Sequence, residues 1–165
     1  MNLKRRESIF GIGFLLIMLT AGCGGGEKNQ ELKEATKLSY ALPIHSFTRP
    51  NKAVVKHLNL NIEVDFQNKI ISGTANYDIQ VAQGENRIVF DTRNLDIKRI
   101  LVDSVETKNW WLGPEKPFMG VALEIEVTDS SNLVSIEYAT TDGAEALQWL
   151  SPQQTAGKEQ PFLFT

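Results

Sequence analysis

Apolar and polar residues alternate from His57 to Val81, and this pattern constrains the fold more than any other feature of the chain. Successive side chains of a β-strand point to opposite faces of the sheet. A hydrophobic pattern with a period of two therefore predicts half-buried strands with one solvent-exposed face. The polar run Gln67-Asn68-Lys69 predicts a turn and hence an antiparallel hairpin. The apolar positions are Leu58, Leu60, Ile62, Val64, Phe66, Ile71, Gly73, Ala75, Tyr77, Ile79 and Val81.

Short strands separated by polar turns continue over the rest of the chain, and no stretch has a convincing helical period. Gly73, inside a strand, predicts a bulge or a close neighbour. Residues 40–165 are therefore predicted to form an all-β domain, either an antiparallel sandwich or a pair of saddle-like sheets. Further strands are predicted at 87–92, 95–102, 108–112 and 121–127, and through Val134, Ile136 and Tyr138.

Residues 1–22 have the three parts of a secretory signal peptide. A positive region is followed by the apolar run Ile9–Leu19 and by the small residues Thr20-Ala21-Gly22. The apolar run is about half the roughly 20 residues that a membrane-spanning helix needs. A signal that is removed after export is therefore favoured over a simple transmembrane anchor.

Cys23, the only cysteine, directly follows these small residues, so no internal disulfide can form. The run L-T-A-G-C resembles the lipobox of bacterial lipoproteins, although Thr20 stands where leucine is usual. We therefore expect acylation of Cys23, a flexible tether over residues 23–39, and attachment to a membrane of the bacterial cell envelope outside the cytoplasm. The alternative is a plain signal peptide with an incidental cysteine.

Charge and motifs exclude several classes of function. The net charge is −3, and Lys4, Arg5, Arg6 and Glu7 sum to +2, so the rest of the chain carries −5. Such a mildly acidic body lacks the clustered Lys and Arg of a nucleic-acid-binding protein. The two histidines, His45 and His57, cannot form the H-E-x-x-H of a zinc peptidase. No serine lies in G-x-S-x-G.

Other chemistry-bearing residues are interpreted as structural. Paired acids can hydrolyse glycosides, but alternation places the acids Asp65, Asp78, Glu124 and Glu126 on wet strand faces. Asp91 and Asp96 flank a turn and are predicted to accept hydrogen bonds from backbone N–H groups. Trp110 and Trp111 should point to opposite faces, one into the core and one to an interface. The alternative for the tryptophans is stacking on sugar rings.

The last eighteen residues, Gln148 to Thr165, are the most unusual in composition. They contain a predicted turn at Ala156-Gly157-Lys158 and then an apolar run, Pro161 to Thr165, with no polar tail behind it. We therefore expect that these 165 residues are the front piece of a longer protein.

Three runs resemble the N-terminal domain of leukotriene-A(4) hydrolase and its bacterial aminopeptidase relatives. They are HLNLNIEVDFQNKIISGTANYDI (57–79), IVFDTRNLDI (88–97) and ALQWLSPQQTAGKEQPFLFT (146–165). The resemblance covers about residues 53–165 and is loose over 103–132. It identifies the chain with the aminopeptidase N type of zinc metallopeptidases, whose first domain is a β-rich saddle packed on a catalytic domain.

This resemblance implies that the catalytic domain of the same parent chain is the partner of this domain, and that it supplies G-x-M-E-N and a zinc-binding H-E-x-x-H. Neither motif is present here, so no catalytic or metal residue is assigned, and this chain is expected to bind no zinc itself. Four residues match family motif positions: Gln148, Trp149, Gln153 and Gln154. Their expected role is packing and turn formation near the domain junction, with substrate contact as the alternative.

Two functions remain open. The leading hypothesis is the non-catalytic N-terminal β domain of a membrane-tethered zinc aminopeptidase, which removes N-terminal residues from peptides. The alternative is a stand-alone envelope lipoprotein whose β-sandwich binds protein or carbohydrate.

Replacing the one cysteine tests the predicted anchor. Cys23→Ser should abolish labelling by radioactive or clickable fatty acid and release the protein from membranes, because the acylated thiol is lost. Labelling and membrane fractionation of cells that express both forms measure this. Continued labelling of the variant would contradict the lipobox assignment.

Overall fold

The computed structural model describes residues 38–165, so the proposed signal (1–22), Cys23 and nearly all of the proposed tether lie outside the described residues. No helix in the described part is long and apolar enough to span a bilayer. The strands found there are β1 Ala53–Asp65, β2 Ile70–Val81, β3 Arg87–Thr92, β4 Leu95–Val102, β5 Val105–Glu106, β6 Trp110–Leu112, β7 Val121–Glu126, β8 Leu133–Thr140, β9 Gln148–Leu150 and β10 Phe162–Phe164.

These strands form three antiparallel sheets, which confirms the predicted all-β fold. The largest has five strands in the order β1-β2-β8-β4-β5. A three-stranded sheet has the order β3-β7-β6, and β9 pairs with β10 in a separate two-stranded ribbon. A single 3-10 turn at Pro152–Gln154 connects the two strands of the ribbon. The short strands β5 and β9 were not predicted.

The predicted hairpin of β1 and β2 is confirmed, with Leu58 opposite Tyr77 and Asp65 opposite Ile70. Strand β1 starts at Ala53, four residues before the predicted start at His57. The register shifts between Val55 and His57, so one residue is bulged out at this point. The bulge breaks the period of two, which is why the alternation in the sequence begins only after it.

The core lies between the five-stranded and the three-stranded sheet. Apolar side chains of β2, β4 and β8 meet those of β3 and β7, and Ile100, Leu123, Ile125 and Val134 are fully buried. The core-facing positions of these strands repeat every second residue, as a half-buried sheet requires. Trp110 packs against the core, whereas Trp111 lies half-buried under the guanidinium of Arg87, 4.2 Å from the ring centroid. The predicted opposite orientation of the two rings is confirmed.

The two aspartates at the β3–β4 turn behave differently. Asp91 accepts hydrogen bonds from the Phe47 backbone N–H (2.8 Å) and the Ser46 hydroxyl (2.6 Å). Those bonds hold the segment that precedes β1 on the domain surface, and the bond from the Phe47 backbone N–H confirms the prediction for Asp91. The prediction for Asp96 is wrong, because its carboxylate accepts a hydrogen bond from the Lys98 ammonium instead. Asp96 lies inside β4 opposite Ala139 of β8, where backbone groups are engaged in the sheet.

The strands of the two facing sheets differ greatly in length. β1 and β2 have 13 and 12 residues, whereas β3 and β7 have six each. At about 3.3 Å per residue, β1 extends roughly 43 Å and β3 only roughly 20 Å. The small sheet therefore covers about half of the large one. The expectation that the first strand is half-buried is wrong for its centre, since Leu58, Leu60 and Ile62 are 43%, 50% and 43% exposed.

The close neighbour predicted for Gly73 is present in β1. Gly73 has φ +150°, and a Cβ at this position would lie 2.1 Å from the carbonyl oxygen of Asn61. Because that oxygen belongs to the backbone, it cannot move aside as the end of a flexible side chain would. Glycine at this site therefore allows the two long strands to approach each other.

Gly73→Ala should lower the free energy of unfolding by more than about 2 kcal/mol, since backbone strain and overpacking act together. The matched control is Gly84→Ala, which has φ +77° but nothing within 4 Å of the added carbon. The control should lose about 1 kcal/mol, from backbone conformation alone. Urea unfolding followed by circular dichroism measures both losses. Equal losses would show that the close approach to Asn61 is not a constraint.

Candidate functional site

An apolar groove occupies the part of the large sheet that the small sheet leaves uncovered. Its volume is about 320 Å³. Its floor is formed by side chains of β1, β2, β4 and β8, and its walls by Phe90 and Leu123 on the small sheet and by Leu147 and Thr165 near the ribbon. The apolar floor residues from β1 and β2 are Leu60, Ile62, Ile71, Ala75 and Tyr77. The groove is therefore lined by side chains that have the sequence pattern of a core, and two of them, Leu60 and Ile62, lack a covering layer.

The groove carries no charge on its floor. Burial raises the pKa of Tyr77 above its usual value, and the neighbouring Tyr138 raises it further. Burial also raises the pKa of Tyr138, so both phenols stay protonated at neutral pH. The charged lining residues are Asp91, Arg93 and Glu145, and the last two form an ion pair of 2.8 Å. An apolar centre with a polar rim is the arrangement found at protein–protein contacts.

The ribbon of β9 and β10 lies beside this groove. Leu163 is opposite Trp149, and Phe164 is opposite Gln148. The Trp149 ring packs edge-on against Phe66, with the centroids 5.6 Å apart and the planes at 89°. That contact attaches the ribbon to the turn between β1 and β2.

The four motif residues fall into two groups. Trp149 and Gln154 line a second depression next to Phe66. The side-chain oxygen of Gln154 accepts a hydrogen bond of 3.0 Å from the Ser151 backbone N–H, which closes the 3-10 turn. Gln148 and Gln153 are exposed. The structure thus gives Trp149 a packing contact and Gln154 a turn contact.

The chemistry-bearing residues of the described part do not assemble into a metal site. Within residues 38–165, no three His, Cys, Asp or Glu side chains lie close enough to share a metal ion. His45 and His57 are both exposed. Glu124 forms an ion pair of 3.1 Å with Arg87, and Asp78 is exposed. The donor set of this domain therefore does not fit zinc.

The groove floor was not recognised from the sequence, because its residues were assigned to the core. The lengths of the alternating runs in the sequence did contain a signal for this groove. Two alternating runs of about a dozen residues cannot be covered by partner strands of six residues each. The surplus apolar positions had to remain exposed or contact another part of a protein.

Three comparisons connect this geometry to known proteins. Residues 54–165 match the family model for the Peptidase M1 N-terminal domain. Leukotriene A-4 hydrolase of Xenopus laevis is 33% identical over 126 residues, which are 73% of this chain and 20% of that protein. Leucine aminopeptidase 2 of Kluyveromyces lactis is 35% identical over 114 residues, 67% of this chain and 17% of that protein.

Solved structures show the same similarity. Yeast LTA4 hydrolase in complex with bestatin superposes with a TM-score of 0.67 at 26% identity, covering 76% of this chain and 20% of that one. The native leukotriene A4 hydrolase from Saccharomyces cerevisiae gives a TM-score of 0.62, covering 71% of this chain and 19% of that one. The chain thus spans about a fifth of the length of the relatives that it matches.

Asp65 fixes the turn that presents Phe66 to the ribbon. Its carboxylate accepts hydrogen bonds from the backbone N–H of Asn68 (2.9 Å), the side-chain amide of Asn68 (2.7 Å) and the backbone N–H of Gln67 (2.8 Å). The bonds from Asn68, followed by the bond from Gln67, hold the pKa of Asp65 below its usual value. The ionised carboxylate therefore stabilises the fold above its unfolded pKa of about 3.9, and this contribution is lost as pH falls through the lower folded pKa.

Asp65→Asn should lower stability at pH 7 and reduce the further loss of stability on acidification to about pH 3. Urea unfolding midpoints at the two pH values measure this. The control is Asp78→Asn, an exposed carboxylate on the neighbouring strand. If Asp65→Asn and the unmodified protein lose equal stability between the two pH values, the turn carboxylate does not contribute as described.

Proposed function

The chain belongs to the family of peptidase M1 N-terminal domains, and from this we propose that it is the non-catalytic β domain of a membrane-tethered zinc aminopeptidase. The parent enzyme removes N-terminal residues from peptides. The observation that carries the proposal is the family match over residues 54–165, together with an apolar groove that is uncovered in the same residues.

Catalysis is assigned to the part of the parent that this chain does not contain. The matched relatives carry the names of a leukotriene A-4 hydrolase and of leucine aminopeptidases, and the chain covers only 17–20% of the first two. In the family that the sequence resembles, H-E-x-x-H holds zinc and G-x-M-E-N holds the free amine of the substrate. Zinc would activate water and polarise the scissile carbonyl there. This chain would serve as scaffold.

The uncovered groove supports a scaffold role. Transfer of apolar surface out of water is favourable by roughly 25 cal/mol per Å². Leu60 and Ile62 alone leave about half of their surface in water, so a covering domain gains free energy by packing on them. We place the catalytic domain of the parent in this position. The peptide substrate would then contact the catalytic domain of the parent rather than the groove.

The front of the chain supports membrane attachment. Cys23 follows a signal-like segment, and residues 24–39 are rich in glycine and polar side chains. An acylated Cys23 would hold the domain at a membrane of the bacterial envelope, and the tether would lift it off the surface.

The alternative is a stand-alone envelope lipoprotein that binds protein or carbohydrate, and the tryptophans disfavour its carbohydrate-binding form. Sugar-binding surfaces need an exposed aromatic face, but each tryptophan here is partly buried against a neighbour. Trp110 packs on the core, Trp111 lies under Arg87, and Trp149 packs on Phe66.

Reading the gene past codon 165 and assaying its product tests the proposal. We expect a continuation that encodes G-x-M-E-N and H-E-x-x-H, and a full-length product that hydrolyses aminoacyl-nitroanilides in a zinc-dependent manner. Residues 1–165 alone should give no turnover above a zinc-only blank. A continuation that lacks both motifs, a stop codon after Thr165, or turnover by the fragment would each contradict the proposal.

A further inference from the structure

In residues 38–165, strand β1 forms a long edge of the five-stranded sheet, and its one bulge lies near its start, between Val55 and His57. Within residues 38–165 it pairs only with β2, and every residue from Val55 to Glu63 is exposed. An edge strand has a row of N–H and C=O groups that can pair with another strand. The opposite edge of the same sheet is β5, which has only two residues. Shortness is a usual protection of an edge, and β1 does not have it.

The sequence of this edge is self-complementary about Leu60. In an antiparallel pair of identical strands with Leu60 opposite itself, the two residue numbers of each pair add up to 120. Leu58 then lies opposite Ile62, and Asn59 opposite Asn61. His57 lies opposite Glu63, so an imidazole N–H can donate to a carboxylate twice, once on each side of the axis.

This register also preserves the two faces of the sheet. Opposite residues in an antiparallel pair point to the same side. The apolar residues Leu58, Leu60 and Ile62 of both copies would therefore lie on the groove side. The polar residues His57, Asn59 and Glu63 would meet on the other side. The regular stretch 57–63 fits between the bulge after Val55 and the turn after Asp65.

We propose that β1 is a self-association surface, through which two copies of this chain pair antiparallel about a two-fold axis at Leu60. The two five-stranded sheets then form one continuous sheet. The pairing lies in the plane of the sheet, so it uses the backbone edge and leaves the apolar face of the groove free for another domain.

The expected dimer is weak. Seven residues per copy form about six to eight backbone hydrogen bonds but bury less than the roughly 1,200 Å² of a standard interface. A dissociation constant on the order of 100 µM is therefore expected. Sedimentation equilibrium of the Cys23→Ser chain, which lacks the one native thiol, should show a reversible monomer–dimer equilibrium between about 10 µM and 1 mM.

Two substitutions distinguish pairing through the β1 edge from nonspecific association. Leu60→Lys puts two ammonium groups opposite each other and should weaken the dimer at least about tenfold. Val105→Lys is the matched control, since Val105 is 70% exposed on the opposite edge of the same sheet; it should leave the dimer unchanged. Thermal melting of both variants checks that they fold. Equal effects of the two substitutions would overturn the proposal.

Disulfide trapping tests the register. Directly opposite Cα atoms lie about 4.5–5.5 Å apart, within disulfide range. In the Cys23→Ser background, Leu60→Cys should therefore cross-link to itself under mild oxidation. A mixture of Asn59→Cys and Asn61→Cys chains should cross-link more readily than either chain alone, whereas Val105→Cys should not cross-link.

Two further results would overturn the proposal. One is equal cross-linking at Leu60→Cys and Val105→Cys, which indicates nonspecific association. The other is a monomer over the whole concentration range. In that case, protection of the β1 amides from hydrogen exchange would show that another segment of the same chain covers the edge.

Discussion

The difference in strand length between the two facing sheets determines most of what this domain presents to its surroundings. A sheet becomes stable by burying one face against another layer, and the layer supplied by β3 and β7 is about half as long as β1 and β2. Where the layers overlap, Ile100, Ile125 and Val134 are fully buried. Where they do not, side chains of the same type form the groove. The core and the candidate site are thus two parts of one apolar face.

The sequence could predict the strands and their faces, because alternation is a local property of the chain. It could not predict which apolar positions are covered, since coverage depends on a distant sheet. Ile88 in β3 and Leu60 in β1 have the same alternating surroundings, yet Ile88 is 2% and Leu60 50% exposed. The bulge near Val55 and the irregular register near Ile97 hid the start of β1 and blurred β4 for a related reason. A bulge inserts one residue and reverses the pattern locally.

The groove and the second depression beside it could be predicted only in part. The motif residues Trp149 and Gln154 could be located because their spacing is distinctive, and the structure places both beside Phe66. The groove was missed because apolar strand residues are assigned to a core by default. Asp91 and Asp96 show a similar limit: both flank a turn, but only Asp91 has a neighbouring chain segment with free donors. Whether each aspartate accepts a hydrogen bond from a backbone N–H group depends on what lies near it in the fold. The residue type alone does not encode this.

Strand β1 can make two further contacts: a domain can pack on its groove face, and a second strand can pair with its edge. Each contact should influence the stability of the other. Leu60 and Ile62 leave about half of their surface in water, so β1 is a region where local opening costs comparatively little. A domain packed on the groove side would bind β1 only while β1 is paired with β2. Its binding would therefore stabilise the paired state of β1 by mass action. A strand held in place by that contact loses less conformational entropy when a second strand pairs with its edge. The two contacts are therefore expected to favour one another, although they use different atoms of the same residues.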